Sequence, residues 1–304
     1  MPTRPAAVRA LLWVLAFAGA VGASVLLAGP LTLALRALGM DAEMGAVFRR
    51  TLLVAVLAVL VVGLHPWKDC PPGKWGLHGP GARPRDAFLG LALAFALLGA
   101  LTAFEALAGW ITWDHGRGWQ KFGERLPVML GGAAMIAVLE EFFFRGWMLA
   151  RFHRRLAPFA AALATAALFA LPHLLKETNA PKGLSADPAG ALAALDAWAR
   201  SAIDLPVTLP KMFGMLLFGL ALAACLYRTR SLWLGIGLHA GAVFYVQSLS
   251  ALTERSPERN WAGSKWLYDG PPGWVLIALL AFLLWPRHGA APAVEDPPDR
   301  PATR

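Results

Sequence analysis

Leu139-Glu140-Glu141-Phe142-Phe143-Phe144-Arg145-Gly146-Trp147 decides how the rest of the chain is read. The stretch lies inside an apolar run from 127 to 150, long enough to cross a hydrocarbon layer of about 30 Å at about 1.5 Å per residue. A charge at mid-membrane costs about 2.5–3.5 kcal/mol on insertion scales, so three charges between positions 140 and 145 require partners or a function. On a helix, Glu141 and Arg145 stand four apart with the acid first, the favoured order for an ion pair. Glu140 projects about 100° away from that pair. The expectation is a Glu141–Arg145 bridge with Glu140 as the freer carboxylate.

Further runs of similar character lie near 10 to 29, 46 to 64, 87 to 108, 157 to 175, 209 to 227, 231 to 250 and 272 to 286. An all-α integral membrane bundle of about eight transmembrane helices follows, with residues 1–288 as one polytopic domain and 289–304, rich in Pro, Ala and Asp, as a disordered tail. Composition agrees: 57% of the 304 residues are hydrophobic and 15% charged, against roughly 45–50% and about 25% in soluble domains. Trp13, Trp67, Trp110, Trp113, Trp233, Trp274 and Trp285 fall near the ends of apolar runs, where indole favours the lipid–water boundary. The Pro- and Gly-rich stretches from His65 to Asp86 and from Lys176 to Leu209 read as polar connections with no second folded domain.

The net charge of +9 resides in loops without interleaved aromatics, which favours membrane lipids over nucleic acid as the partner. Arg4 and Arg9 precede an apolar run of roughly 19 residues, beyond the ~7–15 of a signal core, so a retained first helix is expected. The short loops Arg151 to Arg155 and Arg228 to Arg230 carry only basic charges and fall on one side, which assigns them and both termini to the cytoplasm, in a plasma (inner) membrane. Cys70 and Cys225, one in a loop and one in a span, make neither a disulfide nor a thiolate metal site.

Two histidines share the apolar environment. His173 follows Pro172, whose missing N–H loosens the helix end and frees a carbonyl, and Phe169 lies one turn back. His239 is set among small residues in Leu234-Gly235-Ile236-Gly237-Leu238-His239-Ala240-Gly241, which let a neighbouring helix come close. Counted from the basic ends, Glu140 lies about 20 Å, His173 about 22 Å and His239 about 14 Å deep, so one layer can hold all three. A carboxylate and two imidazoles can activate water and stabilise an oxyanion. The same set could hold zinc, since two His and one Glu is a known catalytic combination.

Glu-Glu-x-x-x-Arg at Glu140, Glu141 and Arg145, Phe-x-x-x-His at Phe169 and His173, and a later His239 after Leu226 to Trp233 together resemble the CPBP family of type II CAAX prenyl proteases and their bacteriocin-processing and self-immunity relatives. The similarity covers about residues 125 to 250. It implies an intramembrane endopeptidase acting on membrane-associated substrates, with Glu140 activating water, His173 assisting and His239 helping to stabilise the oxyanion. Glu141, Arg145 and Phe169 would support that geometry. The family has been described both as metal-dependent and as glutamate-type, so metalloendopeptidase chemistry with divalent zinc stays open and no metal is assigned. Family members usually carry Asn or Asp four residues after the last histidine; Val243 stands there, with Tyr245 and Gln247 as candidate replacement donors. The alternatives are a catalytically weak immunity or scaffold protein and an ion-coupled transporter; for the latter, the repeated halves that many transporters show are missing from the sequence.

Overall fold

The computed structural model describes residues 6–64, 82–114, 116, 118–171, 173, 181–255, 263 and 267–286. Trp67, Cys70, the segment from Lys176 to Ala180 and the tail expected from Gly289 lie outside the described residues. Two compact units emerge, one from Met1–Asp69 with Leu171–Leu209, the other from Cys70–Ala170 with Pro210–Arg304.

In the first unit, α1 (Ala6–Ala37) and α2 (Met44–Leu64) are apolar helices joined by a short turn. Their few polar groups are satisfied locally, as lipid demands. Ser24 Oγ donates to the Ala20 carbonyl and Thr32 Oγ1 to that of Ala28, both at 2.7 Å. Ala28, Met44, Val47, Phe48 and Leu52 form the core with Ala191 and Ala194.

Those two alanines belong to a further helix, αS (Pro188–Ile203), within the stretch expected to be a polar connection. The stretch from Lys176 to Leu209, expected as a polar connection, thus carries a helix in its described part. Its start has strong local logic: Asp187 caps the helix by accepting from the Gly190 N–H at 2.8 Å, and Pro188 occupies the first turn. At 16 residues with a moderate share of polar side chains, αS escapes a search for long apolar runs.

The second unit contains α3 (Asp86–Leu107), α4 (Gly118–Glu140), a π-helical segment Glu141–Met148, α5 (Leu149–His153), α6 (Pro158–Ala170), α7 (Leu205–Thr229, from Pro210 onward), α8 (Trp233–Leu252) and α9 (Pro271–Leu284). Strands β1 (Ile111–Trp113) and β2 (Thr253–Arg255) pair antiparallel, Thr112 opposite Glu254, and tie the end of α3 to the end of α8. Helices α3 and α8 meet backbone to backbone. A Cβ on Gly237 would lie 1.9 Å from the Ala87 carbonyl oxygen, and one on Gly90 2.2 Å from that of Leu234. Only glycine allows such an approach, so the small-residue run around His239 is the seam of this pair. Tyr227 Oη donates to the Pro158 carbonyl at 2.9 Å and joins α7 to the start of α6.

Among the described residues, five helices are long and apolar enough to cross a membrane: Leu11–Ala37, Asp86–Leu107, Gly118–His153, Thr208–Thr229 and Trp233–Leu252. Pro158–Ala170 and Pro271–Leu284 are apolar but shorter. Each expected run overlaps a helix among the described residues, that of 157 to 175 only over Pro158–Ala170, and length and apolarity single out five spans. Large apolar side chains such as Phe88, Leu107 and Phe282 point outward, as a lipid-facing surface requires. The chain is an all-α integral membrane protein with one two-stranded ribbon.

Candidate functional site in the bundle

The continuous helix Gly118–His153 changes its winding where the charges occur. From Glu141 to Met148 it is π-helical, and the Leu149 N–H reaches back to the Phe144 carbonyl, five residues away. The wider turn buries Glu141, Phe144, Arg145, Gly146, Trp147 and Met148 together, more than one face of an α-helix could turn inward. Such π segments mark functional sites often enough to direct attention here.

Within it, Arg145 Nη1 donates to Glu141 Oε1 at 3.0 Å, and both side chains are fully buried. The second guanidinium nitrogen, Nη2, donates to the Gly219 carbonyl of α7 at 3.1 Å. The guanidinium carbon sits 4.3 Å from the centroid of Phe169, a cation–π contact in a dry setting. Gly219 is required at that spot, because a Cβ there would come 2.8 Å from the Ala166 Cβ of α6.

His239 of α8 bridges the two carboxylates. Its Nδ1 lies 3.1 Å from Glu141 Oε1, and its Nε2 lies 3.7 Å from Glu140 Oε2. The first is a hydrogen bond; the second is an ion-pair distance. Phe169 and Phe218 meet the imidazole edge-on, with centroids 5.7 and 5.6 Å away. Gly235, one turn before His239, leaves room for the carboxylate: a Cβ there would approach Glu141 Oε2 to 3.0 Å.

Glu140 differs from its neighbour. Its side chain is 29% exposed against 1% for Glu141, while the Oε2 of each is buried and without a hydrogen-bond partner among the described residues. One carboxylate is thus locked by Arg145 and His239, while the other faces His239 and keeps an accessible side.

Glu140, Glu141, Arg145, Phe169 and His239 therefore form one cluster. His173 is half-buried in the 3₁₀ turn that follows α6, and belongs to the first compact unit. Val243 is half-buried on α8. The Tyr245 hydroxyl donates to Thr102 Oγ1 at 3.0 Å, so its proton is directed at α3. Sequence reasoning missed Gly219 and Phe218 in α7. Phe218-Gly219 carries no charge to betray it, and Gly214, Ala221, Ala223 and Ala224 in the same span keep Gly219 from standing out.

Among the described residues no three His, Cys, Asp or Glu side chains are grouped as ligands. One nitrogen of His239 is taken by Glu141, so Glu140 and His239 offer two donors, and no step is routed through zinc.

An ion-paired, imidazole-bridged carboxylate pair inside apolar helices defines the class as a polytopic membrane protein with a buried polar centre. A family model described as type II CAAX prenyl endopeptidase Rce1-like matches residues 122–245, in keeping with the CPBP resemblance. The matched stretch runs from α4 into α8 and contains Glu140, Glu141, Arg145, Phe169, His173 and His239. No curated protein and no solved structure matches the chain.

Proposed function

We propose that the protein is an intramembrane endopeptidase that hydrolyses peptide bonds of membrane-associated substrates, using Glu140 to activate water. The observation that carries this is the state of Glu140: one oxygen buried beside His239 Nε2 without a hydrogen bond, on a side chain with an accessible side. A general base needs that combination, a partner for the proton and access for water. His239, flanked by Phe169 and Phe218, helps to stabilise the oxyanion. His173 assists Glu140, a role that rests on its place in the motif. Both termini face the cytoplasm of a plasma membrane, and the substrate need not be prenylated.

Val243 favours a second reading, a catalytically weak immunity or scaffold protein. Valine donates no hydrogen bond one turn beyond His239, and the Tyr245 hydroxyl is directed elsewhere. Loss of one oxyanion donor costs about 100- to 1000-fold in rate.

The readings separate on a library of membrane-tethered peptides given to wild type, Glu140→Gln and His173→Ala. Cleavage by the wild type that both changes abolish supports the peptidase. Cleavage indifferent to both removes the assignment, and absence of cleavage under all conditions favours the scaffold. Full activity in demonstrably metal-free enzyme would support glutamate over zinc chemistry.

A further inference from the structure

Glu141 Oε1 accepts from Arg145 Nη1 at 3.0 Å and lies 3.1 Å from His239 Nδ1. A carboxylate held by a guanidinium is ionised and can only accept. The facing ring nitrogen must therefore carry hydrogen. A ring turned over would set a carbon against Glu141 Oε1, and the buried acid, whose Oε2 has no partner among the described residues, would lose one of its two contacts. Phe169 and Phe218 stand nearly perpendicular to the imidazole and hold its plane, while the bond to Glu141 sets which way round the ring lies.

From this geometry we infer that Glu141 is a positioning residue that fixes His239 in the Nδ1–H form, so that its Nε2 is the proton-accepting atom turned toward Glu140. The inference deepens the peptidase reading and, for its catalytic consequence, rests on it. A neutral His239 in this form has no N–H to offer an oxyanion; it gains one at Nε2 only by accepting a proton.

A balanced sequence follows. As the water oxygen bonds to the scissile carbonyl carbon, the carbonyl π pair moves to its oxygen and the water's proton goes to Glu140. That proton passes to His239 Nε2, and the new Nε2–H⁺ donates to the oxyanion. When the C–N bond breaks and the carbonyl re-forms, the Nε2 proton leaves with the amine and both side chains return to their starting state. The 3.7 Å between Glu140 Oε2 and Nε2 must close into the 2.7–3.2 Å range for the transfer. Catalytic hydrogen bonds are commonly loose before substrate binds, and Glu140 is the member with space to move.

The arrangement parallels other orienting carboxylates, in which an acid behind an imidazole selects the reactive tautomer. Here an arginine in turn holds the acid, through Nη1, while Nη2 anchors the guanidinium to Gly219.

The test begins with the unmodified full-length protein, labelled with ¹⁵N-histidine in lipid nanodiscs, the His239 signals being assigned by their loss in His239→Asn. Protonated and unprotonated ring nitrogens resonate in separate regions. Expected is a protonated Nδ1 with a bare Nε2; a protonated Nε2, with or without hydrogen on Nδ1, overturns the inference. Glu141→Gln keeps an acceptor oxygen but removes the charge. It is expected to lower kcat about 10- to 100-fold with KM changed by less than about twofold. An unchanged kcat overturns the positioning role. Protonated Nδ1 in a protein that cleaves no peptide would sink the peptidase reading and leave the tautomer assignment standing.

Discussion

Replacing Gly237 by alanine tests how closely stability and the site depend on one helix contact. The added methyl carbon would sit 1.9 Å from the Ala87 carbonyl oxygen and 2.6 Å from the carbonyl carbon, where ordinary contact needs at least 3.4 Å. The obstacle is backbone, so no side chain can swing aside, and α3 and α8 must part locally by about 1.5 Å. Overpacking typically costs about 1–3 kcal/mol, and this clash belongs at the upper end. Alanine returns up to about 1 kcal/mol of helix propensity, leaving a net loss of about 2 kcal/mol. Taking roughly 2–4 °C per kcal/mol, the melting temperature should fall by about 4–8 °C in detergent. Because His239 lies two residues on, peptide cleavage should fall about 100-fold, the scale of a 1 Å misplacement. Gly90→Ala opens the same seam, since its Cβ would strike Leu234 and Leu238, so the double variant should lose less than the sum of the two. A Gly237→Ala protein with unaltered melting temperature and activity would refute the close approach of α3 and α8.

Arg145→Met should destabilise the protein by about 3–5 kcal/mol, read by thermal unfolding, because it strands the buried Glu141 charge; Arg145→Lys should recover little, since it loses the planar contacts to Gly219 and Phe169. Val243→Asn supplies a donor one turn beyond His239 and should raise kcat about tenfold or more in the peptide assay, whereas Tyr245→Phe, which removes the bond to Thr102, should leave kcat unchanged. At αS, the Gly190 N–H and then the Ser185 hydroxyl hold the Asp187 carboxyl below its ordinary range, with burial opposing. That folded-state value is lower than the unfolded one, so the stabilisation is present above about pH 4 and is lost as pH falls through the depressed value. Hydrogen exchange at the start of αS, corrected for intrinsic rates, should show this acid loss in wild type and a weaker pH dependence in Asp187→Asn, which still caps the helix.

The fold was legible wherever lipid imposes its own rule. A segment in hydrocarbon must satisfy its backbone internally, so long apolar runs announce helices without help from tertiary structure. Among the described residues every expected run overlaps one. The same rule is silent about αS, because a helix that packs Ala191 and Ala194 against the α1–α2 core needs only one apolar stripe and can carry Asp196 and Arg200 on the other side. Its start was nevertheless written in Ser185-Ala186-Asp187-Pro188, a cap followed by proline. The β1–β2 ribbon is too short for alternation to emerge from three-residue strands.

At the site, charge was visible and connection was not. The Glu141–Arg145 pair followed from spacing, and it survives the change to π winding because the two side chains still face one way. That winding has no simple signature in Glu141 to Met148, since it depends on what neighbouring helices can accept: a carbonyl from Gly219, a ring from Phe169 and a gap left by Gly235. The use of each His239 nitrogen was likewise beyond the sequence, because a histidine among glycines fixes closeness but not orientation. Closeness alone is neutral between a packing residue and a reactive one. What distinguishes them is that both ring nitrogens face carboxylates of unequal exposure, one acid immobilised and the other open on one side. A structural bridge needs only the immobilised acid, which makes the second, Glu140, the residue whose presence packing does not explain.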